Sequence, residues 1–281
     1  MSQPLSHHPQ GSRCRADGGS QAACARARSM PAEHPEGGAW RDRAVVVTGG
    51  NSGIGRAFVE RLVAGGAKVI VCGRNEITLQ ELQNQNPGIM AFRCDITVRQ
   101  DVLALAKSIQ DRYGKLDVLI NNAGIMEQVD LLDESVSDDR IAYEIAVNLT
   151  GAIILTRRLL PLLRTGRDPL IVMISSGYAL LPATRAPTYS ASKAGLHSFA
   201  MGLRRQLRGV GIRVVEVLPP LIDTPATRSV RQPKMSTSGL VDRVLRDIRN
   251  GRDEILPGKV GLLPLLMRLV PSYTARRVAE T

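Results

Sequence analysis

The stretch Val45-Val46-Val47-Thr48-Gly49-Gly50-Asn51-Ser52-Gly53-Ile54-Gly55 is an apolar run that breaks into glycines and then passes into a segment of helical period. Three β-branched residues in a row suit a strand covered on both faces. Glycines after it let the backbone turn tightly and approach a pyrophosphate, and the N–H groups and positive dipole end of the next helix attract the same negative charge. A glycine cluster alone is a weak signal; its place between a first strand and a first helix gives it weight.

Outward from this turn, short apolar runs alternate with longer segments of 3.6-residue period. Strands are expected at 44–48, 68–72, 89–94, 116–121, 170–175, 213–218 and 254–256, and helices at 54–64, 76–85, 99–113, 138–163, 189–208 and 237–249. That alternation marks βαβ units. The expected fold is α/β: a single doubly wound, Rossmann-like domain with a seven-stranded parallel sheet and helices on both faces. Residues 1–40, rich in Gly, Ser, Ala, Arg and Pro without hydrophobic period, are expected to be a disordered polar arm. Residues 41–260 are expected to form one dinucleotide-binding catalytic domain, and 261–281 an apolar and basic tail of the same domain.

Composition narrows the classes further. Of 281 residues 43% are hydrophobic and 22% charged, as in globular proteins. The apolar runs 153–155 and 159–163 are separated by Thr156, Arg157 and Arg158, so no run reaches the roughly 18 to 20 residues of a membrane helix. The first 40 residues also lack the apolar middle of a secretory leader. A cytoplasmic protein without a membrane partner is expected. Cys14, Cys24, Cys72 and Cys94 form no C-x-x-C pair, so buried thiols are expected and no metal site. The net charge of +11 comes from 31 Arg and 6 Lys scattered along the chain with only 9 aromatic residues, a pattern unlike a nucleic-acid surface.

The ends of the remaining strands carry the binding chemistry. After the second strand comes Cys72-Gly73-Arg74-Asn75, where an NAD site would place a carboxylate for the ribose hydroxyls. A guanidinium there suits a 2′-phosphate, so NADP(H) is expected to be preferred, with NAD(H) left open. Asp95 and Ile96 follow the third strand, placed for the adenine edge. Asn121-Asn122-Ala123-Gly124 ends the fourth, where the strand order of a doubly wound sheet reverses and the nicotinamide half would pass.

Tyr189 and Lys193 stand four residues apart on one helical face. An ammonium beside a phenol favours the phenolate and is expected to bring its pKa toward the working range. Ser176 follows the fifth strand, at the crevice mouth, in position to hold a carbonyl oxygen; Ser175 faces the other way. Asn148 is an unusual residue for a helix interior, and its amide is expected to divert the helical ladder and hold a water.

The set TGxxxGxG at Thr48 to Gly55, NNAG at Asn121 to Gly124, Asn148, Ser176 and YxxxK at Tyr189 to Lys193 resembles the short-chain dehydrogenase/reductase family over about residues 43 to 260. The resemblance implies Tyr189 as general acid or base, Lys193 holding the nicotinamide ribose and lowering the Tyr pKa, Ser176 orienting the carbonyl, and Asn148 anchoring a proton-relay water. It also implies contacts to the nicotinamide from the loop after the sixth strand, here Pro219 and Thr224, with Pro220 where the family often has Gly. The strings Gly124-Ile125-Met126, Ser175-Ser176-Gly177, Pro219-Pro220-Leu221 and Asp223-Thr224-Pro225 look like the DltE-like subgroup, which supplies no substrate.

The implied activity is reduction of a small-molecule carbonyl compound, or oxidation of the matching secondary alcohol, by hydride transfer. A non-catalytic NADP(H)-binding redox sensor or scaffold is the alternative; it would not need Asn148, Ser176, Tyr189 and Lys193 together. Met126, Glu127, Tyr178, Leu180, Leu181, Leu221 and Ile222 follow the motifs and suggest a mostly aliphatic pocket. The segment 224–238 reads as a mobile lid. The apolar stretch 260–270, with Arg268, Arg276 and Arg277, reads as cover for a partner subunit first, then for the pocket, then for a membrane surface. Members of the resembled family commonly pair the helices that here hold Asn148 and Tyr189, so a homodimer or homotetramer is expected.

Overall fold

The computed structural model describes residues 38–228 and 230–269. Seven strands, β1 (Ala44–Thr48), β2 (Lys68–Gly73), β3 (Met90–Arg93), β4 (Val118–Asn121), β5 (Leu170–Ile174), β6 (Arg213–Val217) and β7 (Glu254–Ile255), form one sheet in the order β3-β2-β1-β4-β5-β6-β7. Every pairing is parallel. The expected doubly wound α/β domain is therefore the observed one.

Each strand divides its side chains between two cores. Val45 and Val47 face α1 (Gly53–Ala64), α2 (Glu76–Gln85) and α7 (Thr237–Arg249), whose Phe58, Leu62, Leu79, Leu82, Leu240 and Val244 share one buried cluster with them. Val46, Leu119 and Ile171 belong to a second cluster with Leu105 and Ile109 of α3 (Arg99–Tyr113), Leu155 and Leu159 of α5 (Ala152–Leu163), and Leu196 and Leu203 of α6 (Pro187–Leu207). Burial on both faces accounts for the unbroken apolar strands. The order reverses between β1 and β4, so a crevice opens above their carboxyl ends.

Several strands are one or two residues shorter than expected and α1 begins one residue early; three further helical regions also differ from the sequence expectation. The helix expected over 138–163 is α4 (Asp138–Ile145), a π-helical turn Ala146–Gly151, and α5. The wide turn contains Asn148, the residue singled out as unusual for a helix interior. α6 begins two residues early because Pro187 occupies a first-turn position, where its missing N–H is harmless. Within the tail, Leu263–Leu269 forms a short helix, α8, with Leu265 and Leu269 exposed.

The domain also starts sooner than expected. Trp40 is only 6% exposed, packs in the α1 cluster and lies under the Arg43 guanidinium at 5.4 Å. One indole removes enough apolar area from water to bind its segment to the domain. The rest of the expected arm, with Cys14 and Cys24, and the tail beyond 269, with Arg276 and Arg277, lie outside the described residues. The expectation of no span-length apolar stretch needs correction: Asp138–Leu163 is long enough, and an 18-residue window within it apolar enough at a mean hydropathy of 1.4, for a membrane helix. The expectation treated its charged residues as breaks in the apolar run, whereas length and mean hydropathy average over them. Its Leu155, Leu159 and Leu163 are buried in the domain core.

Candidate active site

The glycine turn is built to admit a ligand against its backbone. Gly49 and Gly53 adopt φ of +62° and +51°, a region that side chains resist. A Cβ on Gly55 would stand 2.3 Å from the Gly49 carbonyl oxygen, so only glycine lets α1 start this close to β1. Ser52 caps α1 in extended conformation without using its side chain on the helix, which leaves the first-turn N–H groups without a side-chain cap. These features fit a pyrophosphate.

Two further turns brace this one. The Thr48 hydroxyl is buried and accepts hydrogen bonds from the Asn122 and Ala123 backbone N–H groups at 2.9 and 2.8 Å. Asn122 Nδ2 donates to the Thr48 and Gly49 carbonyls at 2.9 and 3.3 Å. The Thr48 side chain thus joins the β1 and β4 turns and is not free for a cofactor, which corrects its expected contact role. Gly55 likewise serves packing.

The crevice has two compartments. The first, of about 520 Å³, is lined by Asn51, Ser52, Arg74, Asp95, Ile96 and the buried Cys72 and Cys94. Here Arg74, directly after β2, hydrogen-bonds the Tyr143 hydroxyl and lies 5.4 Å from that ring. The Tyr143 hydroxyl in turn donates to Asp95 Oδ2 at 3.1 Å, while Asp95 Oδ1 accepts from the Thr97 backbone and hydroxyl at 2.9 and 2.7 Å. These hydrogen bonds, with Arg74 nearby, hold the Asp95 carboxyl below its ordinary range despite partial burial. Asn51 is oriented by a 2.7 Å hydrogen bond to Thr78.

The second compartment, of about 590 Å³, brings Ile54, Ala123, Gly124, Ser176, Tyr189, Lys193, Pro219 and Thr224 to one cavity. Ile125, Met126, Tyr178, Leu181, Leu221, Ile222, Val260 and Leu263 supply its apolar wall. Ser176 follows β5 and accepts a hydrogen bond from the Tyr178 N–H at 3.1 Å, and it shares the cavity wall with the Tyr189 phenol. Ser175 points the other way and donates to the Lys193 carbonyl at 3.3 Å. Lys193, 3% exposed, has its ammonium 5.7 Å from the Tyr189 ring centroid and donates to the Ile174 carbonyl at 3.0 Å. A Cβ on Gly124 would lie 3.3 Å from that ammonium, so the absent side chain keeps it open to the cleft. The 224–238 segment lies along the cleft through Thr224, Thr227 and Gln232 and is pinned by mutual backbone hydrogen bonds of Met235 with Leu221 and Asp223.

The electrostatics overturn one expectation. Burial pushes the Tyr189 phenol up to about 12; the Ser176 hydroxyl opposes the rise, and Glu144 and Tyr178 add to it. Burial also pushes the Lys193 ammonium down to about 8, opposed by Glu144 and Glu216. Desolvation outweighs any help Lys193 gives the phenolate in the protein alone, so the expected fall of the Tyr189 pKa is absent here.

Asn148 stands behind the cleft wall. Its Nδ2 donates to the Ile125 carbonyl and the Ser192 hydroxyl at 2.8 and 3.0 Å, and its Oδ1 accepts from the Ile125 N–H at 2.8 Å. Both amide hydrogens are used within the protein, which leaves the side chain only the second acceptor site of Oδ1 for a water. Glu144, Tyr143 and Thr188 were missed by the sequence reading. The available signal was a carboxylate one turn before Asn148 on the buried side of an amphipathic helix, where charge is rare.

A doubly wound domain with a phosphate cradle at one end of its crevice and a buried phenol, ammonium and hydroxyl at the other is that of a nicotinamide-dinucleotide oxidoreductase. The chain belongs to the short-chain dehydrogenase/reductase family: the family model described as short chain dehydrogenase matches residues 43–235. It is 34% identical over 222 residues, covering 77% of this chain and 88% of the relative, to the uncharacterized oxidoreductase DltE of Bacillus subtilis. An uncharacterized oxidoreductase of Staphylococcus saprophyticus is 32% identical over 193 residues, 66% of this chain and 80% of that one. Among solved structures, a Burkholderia cenocepacia short chain dehydrogenase in complex with NADP matches with TM-score 0.76 and 28% identity, covering 85% of this chain and 98% of that one. The ligand-free Thermoplasma acidophilum aldohexose dehydrogenase matches with TM-score 0.66 and 28% identity over 77% and 92% of the two chains. The protein is thus a short-chain NAD(P)-dependent dehydrogenase/reductase of the DltE-like subgroup.

Proposed function

We propose that this enzyme uses NADP(H) to interconvert a carbonyl compound and its secondary alcohol, with Tyr189 as the general acid or base. The observation that carries the reading is the convergence of Ser176, Tyr189 and Lys193 on one wall of the larger compartment, beside the Ala123–Gly124 turn. When bound, the reduced nicotinamide supplies the hydride. Ser176 holds the carbonyl oxygen, and Tyr189 passes its phenolic proton to that oxygen as negative charge develops there. Lys193, held by the Ile174 carbonyl, presents a positive charge that steadies the phenolate left behind. In the reverse direction the phenolate takes the alcohol proton.

Preference for NADP(H) is supported by Arg74 at the adenosine end, by the lack of a carboxylate at the end of β2, and by the NADP complex of the Burkholderia cenocepacia relative. The aliphatic wall favours a carbonyl compound with an apolar body. Exposed Ile154 on α5 and Met201 on α6 support homo-oligomer formation through these helices, which light scattering would test.

The deciding experiment is oxidation of NADPH and NADH by purified protein across ketones, aldehydes and ketoacyl thioesters, with Tyr189→Phe alongside. Turnover with NADPH that falls by several orders of magnitude in the variant, while NADPH binding persists, is the expected result. Near-normal turnover by the variant would remove Tyr189 from the mechanism.

A further inference from the structure

We propose that Glu144 is a positioning residue of this reaction: its carboxylate ties the tyrosine-bearing turn of α6 to the loop after β4. The proposal rests on the acid–base reading of Tyr189 and Lys193 and extends it to a residue outside the cleft wall.

Glu144 lies in the last turn of α4 and is 1% exposed. One carboxylate oxygen accepts from the Glu127 N–H at 2.8 Å, and the other accepts from the Thr188 hydroxyl. Thr188 directly precedes Tyr189, and Glu127 closely follows Ile125 and Met126 of the cleft wall. One side chain therefore joins two segments that must keep a fixed separation for a substrate to fit between them. Four residues on, Asn148 makes the same kind of tie from the same helical column to Ile125 and Ser192.

A carboxylate this deep is expensive unless it is matched by charge. Among the described residues Glu144 has no ion pair. Arg140, one turn earlier on α4, is engaged by the Glu127 carboxylate at 2.7 Å. The charged and titratable groups facing this region are Lys193 and Tyr189 from α6, Tyr178 from the turn after β5, Glu127 with its Arg140, and Glu216 of β6, which acts on Lys193 from the other side. The buried ammonium of Lys193 has a carbonyl as its hydrogen-bond partner and, among the described residues, no carboxylate in contact. Glu144 and Glu216 are the negative charges that favour its protonated form, and Glu144 also opposes ionisation of Tyr189.

The test separates charge from tie. Glu144→Gln retains size and can serve both neighbours, since its amide oxygen accepts from Glu127 and its NH2 donates to the Thr188 hydroxyl. With the lysine ε-carbons labelled, NMR titration follows Lys193 among only 6 lysines without any substrate. The Lys193 midpoint should fall by about half a pH unit or more in Glu144→Gln, the effect expected of removing a nearby opposite charge in a buried site. An unchanged midpoint would overturn the charge role. Thr188→Val cuts the tie and leaves the charge: kcat should fall about tenfold or more with little change in KM, as for a displaced proton donor, while the Lys193 midpoint stays high. Wild-type kcat in Thr188→Val would overturn the positioning role. Should the acid–base reading itself fail, Tyr189→Phe would remain active, a result distinct from both, and the lysine titration would still decide whether Glu144 controls Lys193.

Discussion

Asn148 and Ile125 hold each other by two hydrogen bonds of 2.8 Å, amide to carbonyl and N–H to amide oxygen, across 23 residues of sequence. The pair fixes the cleft wall after Gly124 to the π-helical turn. An isosteric Asn148→Asp keeps the acceptor and loses both donors, leaving the Ile125 carbonyl and Ser192 hydroxyl short of a partner in a site that is 1% exposed. The variant should lose about 1–3 kcal/mol of stability in denaturant titration, together with most of its turnover. Wild-type stability would show that the tie is dispensable.

Gly55 tests the cradle. Its alanine variant places a methyl group 2.3 Å from the Gly49 carbonyl oxygen, backbone that cannot move aside without opening the turn. NADPH affinity, read by fluorescence titration, should fall by about tenfold or more, with the fold retained by circular dichroism.

Arg74 tests cofactor choice. Arg74→Asp replaces the cation at the adenosine end with a charge that repels a 2′-phosphate, so the ratio of NADPH to NADH affinity should drop by about two orders of magnitude. Tyr143→Phe removes the hydroxyl that bonds the guanidinium and should reduce the same ratio more mildly. An Arg74→Asp enzyme that keeps its NADPH preference would refute the assignment.

The buried phenol and ammonium leave a signature in stability against pH. Lys193 lies at about 8 in the fold against an ordinary 10.5, so its stabilising contribution is present above 10.5 and is lost as pH falls through 8. Tyr189 lies at about 12 against an ordinary 10, so its contribution is present below 10 and is lost as pH rises through 12. Stability of the protein without cofactor should therefore rise between pH 8 and 10 on account of Lys193 and gain nothing further above 10. At neutral pH, Lys193→Met should be more stable than wild type by up to about 3 kcal/mol, the linkage value of the lysine shift, while losing activity. A variant less stable than wild type at pH 7 would contradict the sign.

Much of this enzyme was legible in the chain. Elements 76–85, 99–113 and 237–249 match the sequence reading residue for residue, because apolar period is a local property. The order of Gly49 to Gly55, Asn122 to Gly124, Ser176 and Tyr189 to Lys193 also pointed to one crevice, since a parallel sheet gathers the carboxyl ends of its strands on one edge. Trp40 was missed because a single aromatic after a Gly-rich run carries no period. The π-helical turn was legible only as the oddity of Asn148.

By itself, then, the sequence determined the doubly wound fold, the place of the crevice and the residue types that face it, all of which follow from short-range periodicity and one topological rule. Only the tertiary structure decided how those groups are spent. Thr48 and Asn148 are consumed by partners 74 and 23 residues away, Arg74 rests on Tyr143, and Glu144 meets Thr188 across 44 residues. Burial likewise moved Tyr189 and Lys193 in directions that their spacing alone did not indicate. Desolvation and long-range hydrogen bonds depend on what packs around a group, and that is set when helices close over the sheet.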